Sequence, residues 1–377
     1  MKYNQVYNSI GVLLLISCLT CHPVLAKMFS ILFHAHSLRW SLPTAIMIGS
    51  SPTFITLWGA MRILTLCLPR RIYTSADDCL YSLYQKLILF FFHTYTGAEV
   101  QVYGDVEALL NEKKSVIFIC NHQCTVDWII ANMLASPQSC IGRIRYVLKD
   151  GLRFFPLYGF YFRQHSCIYV KKSGKFDQDK AEKQLAQLKT NDIPVWLVIF
   201  PEGTRMNPDL PDVIERSKNS AIEQVMFEKL KHHVDAIYDV TIGYSDSIDP
   251  ETGCRIAAPG MTEFLSLNNP GIHLHFNKVP IQDIPMEETD LKQWLFSTFR
   301  QKDKLISHFY SSLPEERGRF PGQSVTLKIP ASSTVPSFLF FSSCLVFLLS
   351  RPEGRTFYWK TYVFGTILGC LWMCIRS

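Results

Sequence analysis

An apolar run, Val116-Ile117-Phe118-Ile119-Cys120, leads directly into Asn121-His122-Gln123-Cys124-Thr125-Val126-Asp127, and a helical-looking stretch, Trp128 to Leu134, follows. A histidine at the carboxyl end of a buried strand stands where open α/β sheets place their sites. The spacing puts Asp127 on the first turn of the following helix, from which its carboxylate can fold back to the imidazole. There it would hold one ring N–H, fix the tautomer and stabilise the imidazolium formed when the ring takes up a proton. That pattern gives His122 the part of a general base and Asp127 the part of its orienter. The plainer alternative is a loop histidine bonded to backbone, with Asp127 as a charge at a helix N-terminus.

A second run, Val195-Trp196-Leu197-Val198-Ile199-Phe200, delivers Pro201-Glu202-Gly203-Thr204-Arg205 into a loop. Proline and glycine shape an unusual turn and let backbone approach a ligand closely. Arg205 can grip a phosphate bidentately and Thr204 can donate another hydrogen bond. Glu202 would orient the loop or meet a polar part of the substrate, beside Gly203. The alternative is a surface turn with a solvated Arg–Glu pair. Between the two runs, Ile168-Tyr169-Val170 ends in Lys171 and Lys172, two cations suited to phosphate or simply to water. No G-x-S-x-G elbow points to a serine hydrolase.

The elements that must position these residues follow from pattern. Val116–Cys120, Tyr146–Leu148, Cys167–Val170, Val195–Phe200, Ala236–Tyr244 and Ile272–Val279 read as strands, and Phe176–Lys189 and Glu287–Tyr310 as helices. Their alternation predicts an α/β sandwich around a mostly buried sheet. His273 and His275 alternate with apolar neighbours, which predicts a strand with one wetter face.

Outside this middle the chain turns apolar. Of 377 residues 48% are hydrophobic and only 19% charged, more apolar than an ordinary soluble domain, and the apolar residues concentrate towards both ends. Lys2 precedes an apolar run from Ile10 to Cys21, and Val24-Leu25-Ala26 resembles a cleavage site. A signal peptide, a first anchor and an extension ahead of a start at Met28 all suit residues 1–27. Thr44 to Met61 carries no charge and is just long enough to enter a bilayer, but Gly49, Pro52 and Gly59 predict a kink or a re-entrant hairpin. Leu87 to Thr96 is too short to span and reads as an interfacial or domain-docking helix. Thr334–Leu349 and Tyr362–Ile375 read as a C-terminal hairpin or two short helices.

A formal charge of +6 suits anionic lipid headgroups or phosphate-bearing substrates, whereas no dense basic stripe with interleaved aromatics supports nucleic acid. The 12 cysteines show no disulfide rhythm, and Cys18 and Cys21 have no second pair to complete a zinc site, so no metal is expected.

In order, N-H-x-x-x-x-D, K-x-x-L-x-x-x-P-x-x-G from Lys149, I-Y-V-K-K and F-P-E-G-T-R resemble the motifs of the glycerolipid acyltransferases of the 1-acylglycerol-3-phosphate type. Arg145–Lys149, Asp235–Thr241, Met261–Phe264 and Arg319–Gly322 add local matches, and the likeness runs from about Met28 to the end. It implies membrane-anchoring and interfacial helices over 28–99, an α/β catalytic domain over 100–325 and a transmembrane pair over 326–377. The implied reaction moves a fatty acyl group from acyl-CoA, a co-substrate, to the sn-2 hydroxyl of lysophosphatidate without an acyl-enzyme or cofactor. By this resemblance His122 would deprotonate the hydroxyl, Asp127 would orient it, and Glu202, Gly203, Thr204 and Arg205 would bind the acceptor, with Arg205 on its phosphate. Lys171 and Lys172 would assist there. The implied partners are acyl-CoA, a lysophospholipid and membrane lipids, and the implied location is the endoplasmic reticulum, with mitochondrial or nuclear-envelope membrane as alternatives.

The chemistry agrees with that implication. A thioester is activated enough that proton removal and positioning supply most of the acceleration. The resemblance departs at Met206–Val234, a passage shorter and more polar than the family's and without its Pro-Arg pair. Three competing readings follow: another lysophospholipid as acceptor, a membrane scaffold with weak catalysis, and a thioester hydrolase in which water replaces the alcohol.

Overall fold

The computed structural model describes residues 37–170, 195–201, 234–285, 287–311 and 313–376. The expectations for residues 1–27, Phe176–Lys189 and nearly all of Met206–Val234 lie outside them.

Eight strands form one mixed sheet: β1 (Glu99–Gly104), β2 (Val116–Cys120), β3 (Ile144–Lys149), β4 (Ile168–Val170), β5 (Trp196–Ile199), β6 (Ala236–Tyr244), β7 (Gly271–Pro280) and β8 (Ser324–Thr326). Their order across the sheet is β4-β3-β5-β2-β6-β7-β1-β8. The run from β4 to β6 is parallel, and β7 then pairs antiparallel with β6. β1 runs parallel to β7, and β8 closes that edge in the antiparallel sense. All six expected strands are present; β1 and β8 are additions.

Parallel strands covered on both faces need near-continuous apolar runs, and β2 and β5 are buried along their whole length. Successive side chains take opposite faces. Val116, Phe118, Trp196, Val198 and Tyr238 enter the larger core with the helices, while Ile117, Ile119, Leu197 and Ile237 pack on the other side against Leu291 and Leu295. β7 alternates between buried Ile272, Leu274 and Phe276 and half-buried His273 and His275, as expected. Burial pushes the His273 imidazole down to about 4, so it stays neutral between the Tyr103 and Ser245 hydroxyls, 3.1 and 3.0 Å away.

The segment read as Thr44–Met61 is two helices, α1 over residues 37–49 and α2 (Ser51–Leu64), interrupted at Ser50. Pro52 lies in the first turn of α2, where a missing N–H costs nothing. Leu87–Thr96 is the end of a longer helix, α3 (Arg70–Leu89), which passes into a π turn at Phe90–Tyr95. Leu87, Leu89, Phe91 and Phe92 are buried, so this stretch docks the domain. The remaining α-helices among the described residues are α4 (Val106–Asn111), α5 (Asp127–Ala135), α6 (Tyr158–Gln164), α7 (Met261–Ser266), α8 (Glu288–Phe309), α9 (Ala331–Ser350) and α10 (Pro352–Arg376).

α9 and α10 pack on each other, with Arg351 between them. α9 also rests on α3, and α10 on α2 and α6. Among the described residues, α9 alone is long and apolar enough to cross a membrane; α10 carries Glu353, Arg355 and Lys360 in its first half. Val346, Phe364, Leu368 and Ile375 are exposed on this pair, as are Leu38, Leu42, Ile63 and Leu64 on α1 and α2.

Candidate active site

β2 ends at Cys120, and the Asn121 side chain continues its pairing with β6. Asn121 Nδ2 donates to Ile242 O at 3.1 Å, and Ile242 N–H donates to Asn121 Oδ1 at 2.7 Å. An asparagine is thus standing in for the next strand residue, and it launches His122 out of the sheet at a fixed point.

Asp127 opens α5 and is fully buried. Its Oδ2 lies 2.7 Å from His122 Nδ1 and accepts the Gln123 and Cys124 backbone N–H groups at 2.6 and 2.9 Å. Its Oδ1 accepts the Tyr244 hydroxyl at 2.6 Å. A buried carboxylate needs such partners, and here they also define the loop. Because the acceptor is a carboxylate, Nδ1 carries the ring hydrogen, and Nε2 is the nitrogen that can accept a proton. The imidazole keeps 19% of its surface exposed while the carboxylate keeps none.

Cys124 lies within this loop, with its Sγ 3.4 Å from Asp127 Oδ1. Burial, together with the Asp127 charge, pushes its thiol far above the ordinary range, so it is not a thiolate nucleophile.

Two site contacts have no counterpart in the sequence reading. Tyr244 ends β6, the immediate neighbour of β2, and only that pairing brings it to Asp127. Tyr244→Phe removes just this hydroxyl and should destabilise the fold by about 1.5–3 kcal/mol. A lowered Tm in detergent would report it, and an unchanged Tm would mean that Asp127 is held without it. Phe200, at the end of β5, sets its ring 4.6 Å from the His122 ring, centroid to centroid.

The sheet therefore brings the two apolar runs side by side, β2 beside β5 and parallel. Glu202, Gly203, Thr204 and Arg205 lie outside the described residues, as do Lys171 and Lys172. The points at which the chain approaches them are described. β5 is one strand from β2, about 5 Å, whereas β4, which leads to the lysines, is three strands away, roughly 14 Å.

A second His–Asp pair lies deeper in the fold. His165 Nδ1 is 2.6 Å from Asp77 Oδ2, and Arg145 Nη2 is 2.6 Å from Asp78 Oδ1. Asp77, Asp78 and His165 stand close enough to hold a metal ion, but the Arg145 guanidinium already supplies the cation among them.

Residues 99–245 match the family profile described as Acyltransferase, and residues 263–341 match Acyltransferase C-terminus. The 1-acyl-sn-glycerol-3-phosphate acyltransferase epsilon of Mus musculus is 40% identical over 93% of this chain and 100% of its own. Lysocardiolipin acyltransferase 1 of Danio rerio is 22% identical over 88% of this chain and 85% of its own. The crystal structure of the 1-acyl-sn-glycerophosphate (LPA) acyltransferase PlsC from Thermotoga maritima aligns with a TM-score of 0.40 and 16% identity, over 72% of this chain and 98% of that one. The mouse relative is matched along its whole length, and the His122–Asp127 loop falls inside the acyltransferase region. On that likeness the chain belongs to the 1-acyl-sn-glycerol-3-phosphate acyltransferase family.

Proposed function

We propose that this enzyme transfers a fatty acyl group from acyl-CoA to the sn-2 hydroxyl of 1-acyl-sn-glycerol 3-phosphate, giving phosphatidate and CoA. The carrying observation is the 2.7 Å pairing of His122 Nδ1 with a buried Asp127 at the end of a central strand. The relative named for 1-acyl-sn-glycerol-3-phosphate acyltransferase activity supports lysophosphatidate as the acceptor, and acyl-CoA as the donor is part of the proposal.

His122 Nε2 takes the hydroxyl proton as the oxygen attacks the thioester carbonyl carbon. The C–S bond then breaks, and the CoA thiolate recovers a proton from the imidazolium. Asp127 holds the ring in the one tautomer that permits both transfers. Glu202, Gly203, Thr204 and Arg205 would bind the acceptor, with Arg205 on its phosphate. The place where β5 ends, next to His122, supports that assignment over Lys171 and Lys172, which follow the sheet's outermost strand. No cofactor or metal enters this scheme. The exposed apolar faces of α1, α2, α9 and α10 support work at a membrane; the endoplasmic reticulum is proposed from the family resemblance alone.

Membranes holding the full chain, given labelled oleoyl-CoA and a panel of lysophospholipids, test the reading. Label should appear chiefly in phosphatidate, from lysophosphatidate. Release of free fatty acid as the main product would make the chain a hydrolase, and no product at all would make it a scaffold. Preferred labelling of another lysophospholipid would replace the acceptor, an outcome given some weight by the lysocardiolipin acyltransferase relative. Arg205→Ala should raise the acceptor KM about tenfold or more while leaving the acyl-CoA KM unchanged, since the guanidinium is assigned to the acceptor alone. Equal effects on both KM values would remove that assignment.

A further inference from the structure

Gln123, the residue after His122, is buried, and its backbone N–H and both polar atoms of its side chain are hydrogen-bonded. Its backbone N–H donates to Asp127, and its Nε2 donates to Ile242 O. Its Oε1 accepts from Arg255 Nη2 at 3.0 Å and from the Tyr310 hydroxyl at 3.1 Å. Arg255 lies in the segment that follows β6, bridged to Ile248, and its guanidinium sits 4.3 Å above the Tyr310 ring. Tyr310 terminates α8.

These contacts close a circuit. Tyr244 donates to Asp127, Ser247 Oγ donates to Tyr244 O at 2.6 Å, Ser247 Oγ and the Tyr310 hydroxyl are 2.6 Å apart, and Tyr310 reaches Gln123, which returns to Asp127. The circuit is one hydrogen short. Ser247 and Tyr310 have two hydroxyl hydrogens between them for three contacts, Tyr244 O, Gln123 Oε1 and the one between the hydroxyls themselves. Whenever Tyr310 turns its hydrogen to Ser247, Gln123 Oε1 depends on Arg255. A buried amide oxygen without a donor is unfavourable, so the guanidinium is what keeps Gln123 in one orientation.

We propose that Arg255 and Gln123 are positioning residues for the acyl transfer: through the Gln123 side chain and backbone, the guanidinium fixes the loop that aims His122. Neither needs to touch substrate. The proposal rests on His122 being the base, and small misplacements of a reacting group are expensive in rate.

The test uses the full chain in membranes, with His122→Ala assayed alongside. Arg255→Met should lower kcat about tenfold with both KM values within about twofold of wild type. Arg255→Lys, which retains a donor for Oε1, should recover most of the rate. Tyr310→Phe keeps the ring under the guanidinium and should lose less than about threefold, because Arg255 still serves Gln123. Should Arg255→Met fail to accumulate, Gln123→Met preserves length and volume and must show the same kcat loss at unchanged KM. An unchanged kcat in Arg255→Met, or in Gln123→Met, overturns the proposal. So does a raised acceptor KM with kcat intact, which would make Arg255 a substrate contact. Transfer that survives His122→Ala would instead remove the reading on which the proposal rests.

Discussion

Substituting alanine for His122 should lower acyl transfer between about a hundred- and ten-thousand-fold, the range spanned by a positioned general base. The acceptor is an alcohol, and at neutral pH almost none of it is ionised, so the attacking oxygen depends on a partner that removes its hydrogen during attack. In this chain the partner is a ring whose Nδ1 is committed to Asp127, which directs all its basicity through Nε2. Alanine leaves Asp127 with four donors, the two backbone N–H groups, the Tyr244 hydroxyl and the Cys124 thiol, so the loop keeps its shape. The loss should therefore fall on kcat, with both KM values little changed. Initial rates of phosphatidate formation in matched membranes measure it. A variant retaining more than about a tenth of the rate would show that the proton leaves by another route.

The largest effect on stability is expected from Arg145→Met, about 3–5 kcal/mol. Arg145 is buried, and its two terminal nitrogens bond Asp78, His165 and the carbonyls of Gly142 and Ile144 at 2.6–3.1 Å. Burial, with Arg145 alongside, holds the His165 imidazole below its ordinary range, so His165 accepts from Arg145 while donating to Asp77. Methionine fills the volume but leaves two carboxylates from α3 without their cation. Unfolding in detergent by heat or denaturant would show the loss. A Tm within about 2 °C of wild type would mean that water already shares the charge of this cluster.

Much of this was legible in one dimension because it is local. An apolar run followed by a polar motif names both a strand and what leaves its end, so β2, β5 and β6 and the His122–Asp127 pair could be read directly. The five-residue separation of His122 and Asp127 needs only one turn to close. Tyr244, Arg255 and Tyr310 escaped because they reach the loop from 117, 132 and 187 residues away, through the β2–β6 pairing and the end of α8. Nothing in their own neighbourhoods marks them. β1 escaped for a similar reason: Glu99–Gly104 alternates weakly at a place where the sequence also reads as the end of the anchoring region. β8 is three exposed residues with no pattern to find. The Thr44–Met61 segment shows the opposite case, since Gly49 and Pro52 announced the interruption that appears at Ser50.

The placement of β1 between β7 and β8 has a consequence for how the chain comes off the ribosome. β1 is the first of the described strands to be made, yet the partners on its two sides are the last two. Translation of the roughly 170 residues separating β1 from β7 takes on the order of ten to thirty seconds. For that interval Val100 and Val102 have no strand to pair with, while the parallel half from β2 to β6 can already assemble. The catalytic loop is thus born early, and the first of the described strands waits for the last two.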